Sequence, residues 1–591
     1  MPAWWERFPG RLETELRAFR DLGLEFVLDD AAFTTGCVRI RGALDVAGHG
    51  RVEIVVAYPD TFPDTRVTVY APGLDLRRHQ NPFERNLCIL PRGSDYWRPS
   101  QLAAPLVAAA VPELLTLLAA GDDAVRAAED PQGEPFSDYY HYWPLGGVLV
   151  PGAALSLAVG EQRGTFVVRL RSDARWIESL LGDPTSGPIG QALLVTVNDI
   201  RGELMASADA EVARGFTGRE WSGRWLRTQE PIRAPDGPDF AARLTQELPD
   251  LRKPRCDFRM DHGHFEIVGV VYPEEVRQGV FEDAWVFLVI GQAARRREYR
   301  ATLLRGMRAT IEDCGARIPE LKSLRESRVA IAGVGALGSS VARELCRNLI
   351  GELRVLDSDY VDAGSTVRWL EGIAAAGPLK VLAVKQILER AYPYTAIDVT
   401  QQPVGVAPIQ VLGPSEAENL EKWIAGTNLV LEATAEDNVS RAVATLARAR
   451  NLPQLYLWSI EGYGGVVARI LPGRTGCYHC LTLAVSPDGG SILLPAPPRG
   501  REQRRVQPRG CADPTLAASA ADLEPLATQA VRVAFGLLSE GVPGGYPMFE
   551  HDVFVLTQRL PDGTPTSPPR WEAYFLPPDP RCPLCNPPPV R

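Results

Sequence analysis

The stretch that most restricts how this chain can fold is "ESRVAIAGVGALGSSVARELCRNLIGELRVLDSDYV", residues 326–361. An apolar run, a glycine turn, an amphipathic helical pattern and a second apolar run ending at Asp357 make a compact β-α-β unit. Gly333, Gly335 and Gly338 fit Gly-x-Gly-x-x-Gly between strand and helix. The missing side chains let backbone amides and the positive end of a helix approach a phosphate. Asp357 follows Gly338 by 19 residues, in place to bind a ribose hydroxyl. With further apolar runs in "TNLVLEATAEDN" and "QLYLWSIEGYGG", the pattern predicts a mostly parallel, doubly wound α/β (Rossmann-like) domain.

The turn alone does not choose between a dinucleotide and ATP. Arg368 and Lys380 follow Asp357 closely, and two fixed cations suit attack on a triphosphate, where charge develops, better than hydride transfer. The carboxylates of "LEATAEDN" fall at the end of a predicted strand, suited to Mg2+. Glu436 and Asp437 both stand there, and the spacing leaves the two open. A nicotinamide-dependent oxidoreductase fits these cations poorly.

Ten cysteines in a chain without a recognisable secretory signal call for metal or catalytic roles before disulfides. "CYHC" and "CPLC" supply Cys477, Cys480, Cys582 and Cys585, enough thiolates to close a structural zinc site and staple the tail to its domain. Cys511 lies in an Arg/Pro/Gly-rich stretch beside Arg505 and Arg509, a setting that favours thiolate. Cys88, in "HQNPFERNLCILPRGSDYWRPSQ", reads either as a core thiol or as a nucleophile. Cys37, Cys256, Cys314 and Cys346 read as packing residues.

A length of 591 residues requires several domains. Residues 6–22 have helical spacing, residues 51–73 read as an antiparallel hairpin, and a helix follows with Ser100 as N-cap and a kink at Pro112. Residues 146–290 alternate short apolar runs with Gly/Pro turns and predict a β-rich unit. "ARRREYRATLLRGMRATIED" reads as a basic helix leading into the last domain. The boundaries are therefore 1–125 (α+β), 126–300 (β-rich linker) and 301–591 (α/β). A net charge of -10 opposes a general nucleic-acid surface. No run of 18 apolar residues predicts a membrane span, and a cytoplasmic location is expected.

Residues 305–591 resemble the ubiquitin-activating and sulfur-carrier-activating (ThiF/MoeB-type) adenylyltransferases in "GVGALG", "LDSDYV", Arg368, "GPLK", the Asp-Asn of "EDN", the paired Cys-x-x-Cys knuckle and "GCADPT". The resemblance implies that Gly333, Gly335, Gly338, Asp357, Arg368 and Lys380 bind ATP, that Asp437 binds magnesium, and that Cys511 receives the activated acyl group. It also implies a homodimer through this domain and an arginine acting across it, for which Arg308 is taken, with Arg305 as competitor. Ser365 stands where the family has Asn. Residues 1–125 are similar to ubiquitin-conjugating enzymes, in helix, meander, "YPDTFPD", "HQN", loop cysteine and Trp-x-Pro. That similarity implies catalysis at Cys88 supported by His79 and Asn81, although Asn81 precedes Cys88 by one residue fewer than usual. The domain order resembles the conjugating/activating fusions of CBASS anti-phage operons. There the resemblance implies a partner with a flexible C-terminal tail, ubiquitin-like or a cGAS-like nucleotidyltransferase, and a lysine or other amine as acceptor. The alternative is a sulfur-carrier adenylyltransferase whose N-terminal domain only recruits partners.

Overall fold

The computed structural model describes residues 2–34, 36–89, 97–120, 133–158, 160, 162–171, 176, 189–249, 259–260, 263–277, 279–293, 300–406, 415–497 and 517–586. No described helix is long and apolar enough to cross a membrane. The chain forms two compact units, residues 1–208 with 216–309, and residues 209–215 with 310–591.

The first unit opens with two helices, Trp4–Arg7 and Arg11–Asp21, where a single helix over 6–22 is predicted from spacing; the turn at Phe8–Gly10 divides them, with Gly10 at φ +79°. An antiparallel sheet follows in the order β1 (Phe26–Leu28), β2 (Val38–Val46), β3 (Gly50–Tyr58), β4 (Thr68–Tyr70). The predicted hairpin is present, with Val55 opposite Tyr70. Val38, Ile40, Ile54 and Val56 turn one sheet face onto Phe19 and the helix Ala103–Ala119, whose Val107 and Val111 are fully buried.

The helix Ala103–Ala119 runs through Pro112, and its N-cap is Leu102 rather than Ser100. Its first amide, on Ala103, donates instead to Glu15 of the helix Arg11–Asp21 at 2.9 Å. The Glu15 carboxylate is fully buried and also takes Arg11 and the Tyr58 hydroxyl. A distant acid thus does what a local cap usually does: it satisfies an orphan amide and faces the positive helix end.

The same unit holds a second sheet: β5 (Tyr142–Pro151), β6 (Arg163–Leu170), β7 (Gly190–Asp199), β8 (Leu204–Ser207), β9 (Glu220–Arg227), β10 (Arg259–Met260), β11 (Gly263–Arg277), β12 (Val280–Ala293) and β13 (Arg300–Ala309). β9 pairs with both β6 and β11, so the path β11-β12-β13-β5-β7-β6-β9 closes on itself around Trp225, Trp285, Phe166 and Phe287. The β-rich expectation holds. The predicted basic helix does not, because residues 300–309 form β13, bonded to β12 on one side and β5 on the other. Leu303 and Leu304 are both buried but belong to different apolar clusters, the signature of a strand with two covered faces. The second unit accordingly begins at Thr310, beyond the boundary drawn at 300/301.

In the second unit the strand order is β16-β15-β14-β17-β18-β19-β20-β21. β14 (Arg328–Ala332), β15 (Glu352–Leu356), β16 (Ala396–Thr400), β17 (Leu429–Glu432) and β18 (Gln454–Ile460) are parallel neighbours. β19 (Gly464–Ile470), β20 (Val553–Arg559) and β21 (Pro565–Tyr574) extend the sheet antiparallel. The helices Ala336–Arg347 and Ala520–Leu538 cover one face, and Glu416–Ile424 with Asp437–Ala449 cover the other. This is the doubly wound arrangement expected from the glycine turn.

Candidate functional sites

Ligands in open α/β sheets sit outside the carboxyl ends of the parallel strands, and the predicted nucleotide residues other than Arg308 lie in the unit that holds this sheet. Gly333 follows β14 at φ +81°, and its amide donates to the Leu356 carbonyl at 2.8 Å. A Cβ on Gly338 would stand 1.9 Å from the Gly333 carbonyl oxygen, so only glycine lets the turn close. Gly335 is the N-cap of the helix Ala336–Arg347, and a Cβ there meets nothing within 4 Å. The open space leaves the helix end accessible to an anion.

Asp357 ties this turn to the next strand. Its Oδ2 accepts from the Val334 amide and its Oδ1 from the Asp359 amide, both at 2.8 Å. Lys380 begins the helix Lys380–Ala391, and its Nζ reaches Asp359 Oδ2 at 2.8 Å. Arg368 closes the short helix Ala363–Arg368 and donates to the Ala518 carbonyl at 3.0 Å; burial depresses its pKa. Ser365 uses its hydroxyl on the Asp362 carbonyl.

The acids after β17 divide by role. Glu432 is buried, accepts from the Thr434 amide and hydroxyl and from Ser440 Oγ at 2.6 Å, and burial raises its pKa. It fixes Thr434, the residue against which Gly333 packs. Asp437 opens the helix Asp437–Ala449 and is exposed; Arg441 pairs with one oxygen at 2.7 Å and the Tyr478 hydroxyl donates to the other at 3.2 Å. With lone pairs left on both oxygens, its carboxylate fits a magnesium ligand better than buried Glu432. Glu436 is the N-cap of that helix and makes no side-chain cap bond.

Cys477, Cys480, Cys582 and Cys585 come together with their sulfurs all within 4.8 Å of one another. Three separations are 3.9, 3.6 and 3.7 Å. A zinc bound by four thiolates at about 2.3 Å has sulfur edges of about 3.8 Å, so the cage fits that ion. Gly476 makes room, since a Cβ there would lie 2.7 Å from that of Cys480. The Asp579 amide donates to Cys480 Sγ at 3.3 Å, and Arg448 reaches the Leu584 carbonyl at 2.7 Å. A cavity of about 890 Å³ opens beside this cluster, lined by Arg441, Arg448, Arg474 and His479, and none of the nucleotide-site glycines borders it.

In the first unit Cys88 is exposed and is therefore not a core thiol. Its amide donates to the His79 carbonyl at 2.7 Å, and its sulfur hydrogen-bonds the His79 side chain. That bond lowers the thiol pKa; burial and Glu134 oppose it, while Arg66 and the charge of His79 assist. His79 is left-handed, at φ +58°, and its amide donates to both Glu134 oxygens at 2.7 and 2.9 Å. Gln80 is buried and pins the loop to the Ala71 carbonyl and the Leu76 amide. Asn81 Oδ1 accepts from the Phe83 and Glu84 amides at 2.9 and 3.0 Å, so that oxygen caps its own turn.

Arg308 lies on β13 in the first unit and pairs with Glu282 at 2.6 Å, while its competitor Arg305 pairs with Asp138 and lies over the Tyr142 ring. Cys511 and Cys256 fall outside the described residues. Glu134 and Asp359 are not singled out by the sequence pattern: Asp359 stands in "LDSDY" two residues after Asp357, whereas Glu134 carries no local signal. Glu432, one of the strand-end acids of "LEATAEDN", supports the turn from within the core.

The ThiF family model matches residues 309–542. Along nearly its whole length the chain is similar to the uncharacterized protein y4oA of Sinorhizobium fredii, 29% identical over 608 residues that cover 98% of this chain and 97% of that one. The sulfur carrier protein ThiS adenylyltransferase of Bacillus subtilis is 29% identical over 173 residues, 29% of this chain and 48% of that protein. Among solved structures, E. coli MccB with MccA-N7isoASN is 16% identical with a TM-score of 0.34, covering 45% of this chain and 69% of that one. The glycine turn, its tethered acid and both following cations all fall within the residues that the ThiF family model matches.

Proposed function

We propose that this chain uses ATP to activate the C-terminal carboxylate of a partner protein and carries the acyl group on its own cysteines to an amine. Support for the first step is the ThiF-type domain, with its glycine turn, Arg368 and Lys380 at the carboxyl ends of the parallel strands. The observation that carries the rest is the exposed Cys88 thiol bonded to an imidazole.

The partner's carboxylate oxygen attacks the α-phosphate of ATP, forming an acyl-adenylate and releasing pyrophosphate. Arg368 and Lys380 stabilise charge developing on the phosphates, and Asp437 would hold the magnesium that accompanies them. Cys511 sulfur then bonds the acyl carbon and AMP leaves. In the exchange that follows, Cys88 gives its proton to His79 and its sulfur bonds the acyl carbon. The Cys511–acyl bond breaks, leaving Cys511 as thiolate. Attack by a lysine or other amine forms an amide and frees Cys88. Two thiols in one chain raise the effective concentration for the exchange. Cys477, Cys480, Cys582 and Cys585 would hold a structural zinc with no open position. A cGAS-like nucleotidyltransferase with a flexible C-terminal tail is the partner class we favour, acting on a homodimer in which Arg308 serves the neighbouring site.

Incubation with such partners and MgATP, followed by intact mass with and without reductant, tests this reading. A reductant-sensitive adduct on Cys88 is expected; pyrophosphate exchange that needs no carboxyl-tailed partner would sink it. Similarity to the ThiS adenylyltransferase, confined to 173 residues, favours a second reading in which activation stops at the adenylate and Cys88 is dispensable.

A further inference from the structure

We propose that Glu134, which lies beyond the N-terminal sheet and helix, is a positioning residue for Cys88: its carboxylate clamps the His79 main chain in the left-handed conformation from which the imidazole meets the thiol. This rests on the reading of Cys88 as an acyl carrier and names what readies it.

Left-handed φ is uncommon outside glycine and persists only where surrounding contacts impose it. At His79 those contacts come from two sides. Both Glu134 oxygens accept its amide, and its carbonyl accepts the Cys88 amide. The peptide groups flanking the imidazole are therefore fixed, and with them the line from ring to sulfur.

Glu134 is itself anchored. The Tyr139 hydroxyl donates to its Oε1 at 3.1 Å. The short helix Phe136–Tyr139 is held on β11 by Ser137, whose amide and hydroxyl both donate to buried Glu274 at 2.6 and 2.9 Å. Next to His79, Arg78 pairs with Glu275 of the same strand. The clamp thus belongs to the β-rich sheet, giving that sheet a part in the chemistry of Cys88. The groups whose charge reaches the thiol are His79, Glu134, Tyr139 and Arg66.

Positioning and simple charge predict opposite signs. Removing a carboxylate near a thiol, with nothing else changed, eases ionisation and shifts thiol reactivity to lower pH. Removing the clamp lets His79 leave the sulfur and shifts it to higher pH. The experiment is iodoacetamide labelling of Cys88 in the full chain, read on its peptide by mass from pH ~6 to ~10, the range of ordinary thiol titration. Glu134→Ala should displace the profile upward as His79→Ala does, slowing labelling near neutral pH by about tenfold, the effect of one pKa unit. The double variant should match either single one, since both remove the same contact. Glu134→Gln retains one acceptor for the amide and should fall between, and it serves if the Ala variant fails to fold. A Glu134→Ala or Glu134→Gln profile that stays in place or moves downward overturns the proposal, as does an additive double variant. Labelling needs neither ATP nor an acyl partner, so failure here leaves the relay standing and failure of the relay leaves this readout intact.

Discussion

The Val334 amide donates to Asp357 Oδ2 across 2.8 Å, which makes the glycine turn and the acid ending the neighbouring strand one mechanical unit. The second oxygen holds the Asp359 amide, and Asp359 in turn holds Lys380. Asp357→Ala should therefore abolish pyrophosphate exchange and also destabilise the second unit, by about 1–3 kcal/mol if one freed amide stays buried. Asp357→Asn, which keeps one acceptor oxygen, should lose exchange with a smaller drop in melting temperature. Equal melting of wild type and Asp357→Ala would refute the tether.

Two glycines of the same turn should respond differently. A Cβ at position 338 meets backbone oxygen at 1.9 Å, and one at position 335, where φ is -68°, meets open space. Gly338→Ala should lower the melting temperature and nucleotide binding together. Gly335→Ala should melt like wild type, so any loss of ATP binding in it reports crowding of the ligand. The comparison needs only thermal melts with and without ATP.

The relay separates its steps by cysteine. Cys511→Ala should leave partner-dependent pyrophosphate exchange running and remove every reductant-sensitive adduct. Cys88→Ser should permit the first adduct and either stall there or trap an oxyester. Partner-dependent pyrophosphate exchange that is the same in Cys88→Ala as in wild type, with no adduct on Cys88 and no conjugate formed by either, would decide for the sulfur-carrier reading.

What the sequence made legible was whatever short spacing encodes: the glycine turn, the paired Cys-x-x-Cys, the 51–73 hairpin. Each is built from units whose geometry is set within a few residues, and the two cysteine knuckles, though about a hundred residues apart, announce each other by sharing one spacing. What stayed hidden depended on distant partners. Ser100 looked like a helix cap, but Glu15 meets that need from another helix. Residues 300–309 carry basic and apolar residues at helical spacing, yet β5 and β12 take their backbone bonds. Glu134 sits 55 residues from His79, and nothing in the intervening sequence announces the pair. Asn81, one residue nearer Cys88 than the resemblance implies, spends its Oδ1 on its own turn, while His79 bonds the sulfur.

The contrast between Cys88 and Cys346 fixes a pH dependence. A hydrogen bond from His79 lowers the Cys88 pKa, whereas complete burial pushes Cys346 up to about 12. A depressed folded pKa means that the thiolate is favoured by folding. Its stabilising contribution is present above the ordinary thiol pKa and fades as pH falls through the folded value. Cys88 should label near neutral pH in the native chain and more slowly in denaturant at the same pH, while Cys346 labels only after unfolding. Faster labelling of Cys88 in denaturant would contradict the bonded geometry.

The cysteine cage gives the last expectation. Cys480 and Cys582 are buried, and Cys582 and Cys585 lie on the chain that follows β21. Without an ion, four thiolates held this close repel one another and must take up protons, removing the tie between this segment and the helix Tyr478–Ala484. The purified protein should contain one zinc per chain by elemental analysis, and Cys582→Ser should lose it. A strong chelator should lower the melting temperature and expose the segment after β21 to protease, while excess zinc restores both. Pyrophosphate exchange should decline only as this unit loosens, because a closed site contributes no ligand to the reaction. A metal-free preparation that melts at the same temperature with and without zinc would remove the metal from the account and leave only a cluster of thiols.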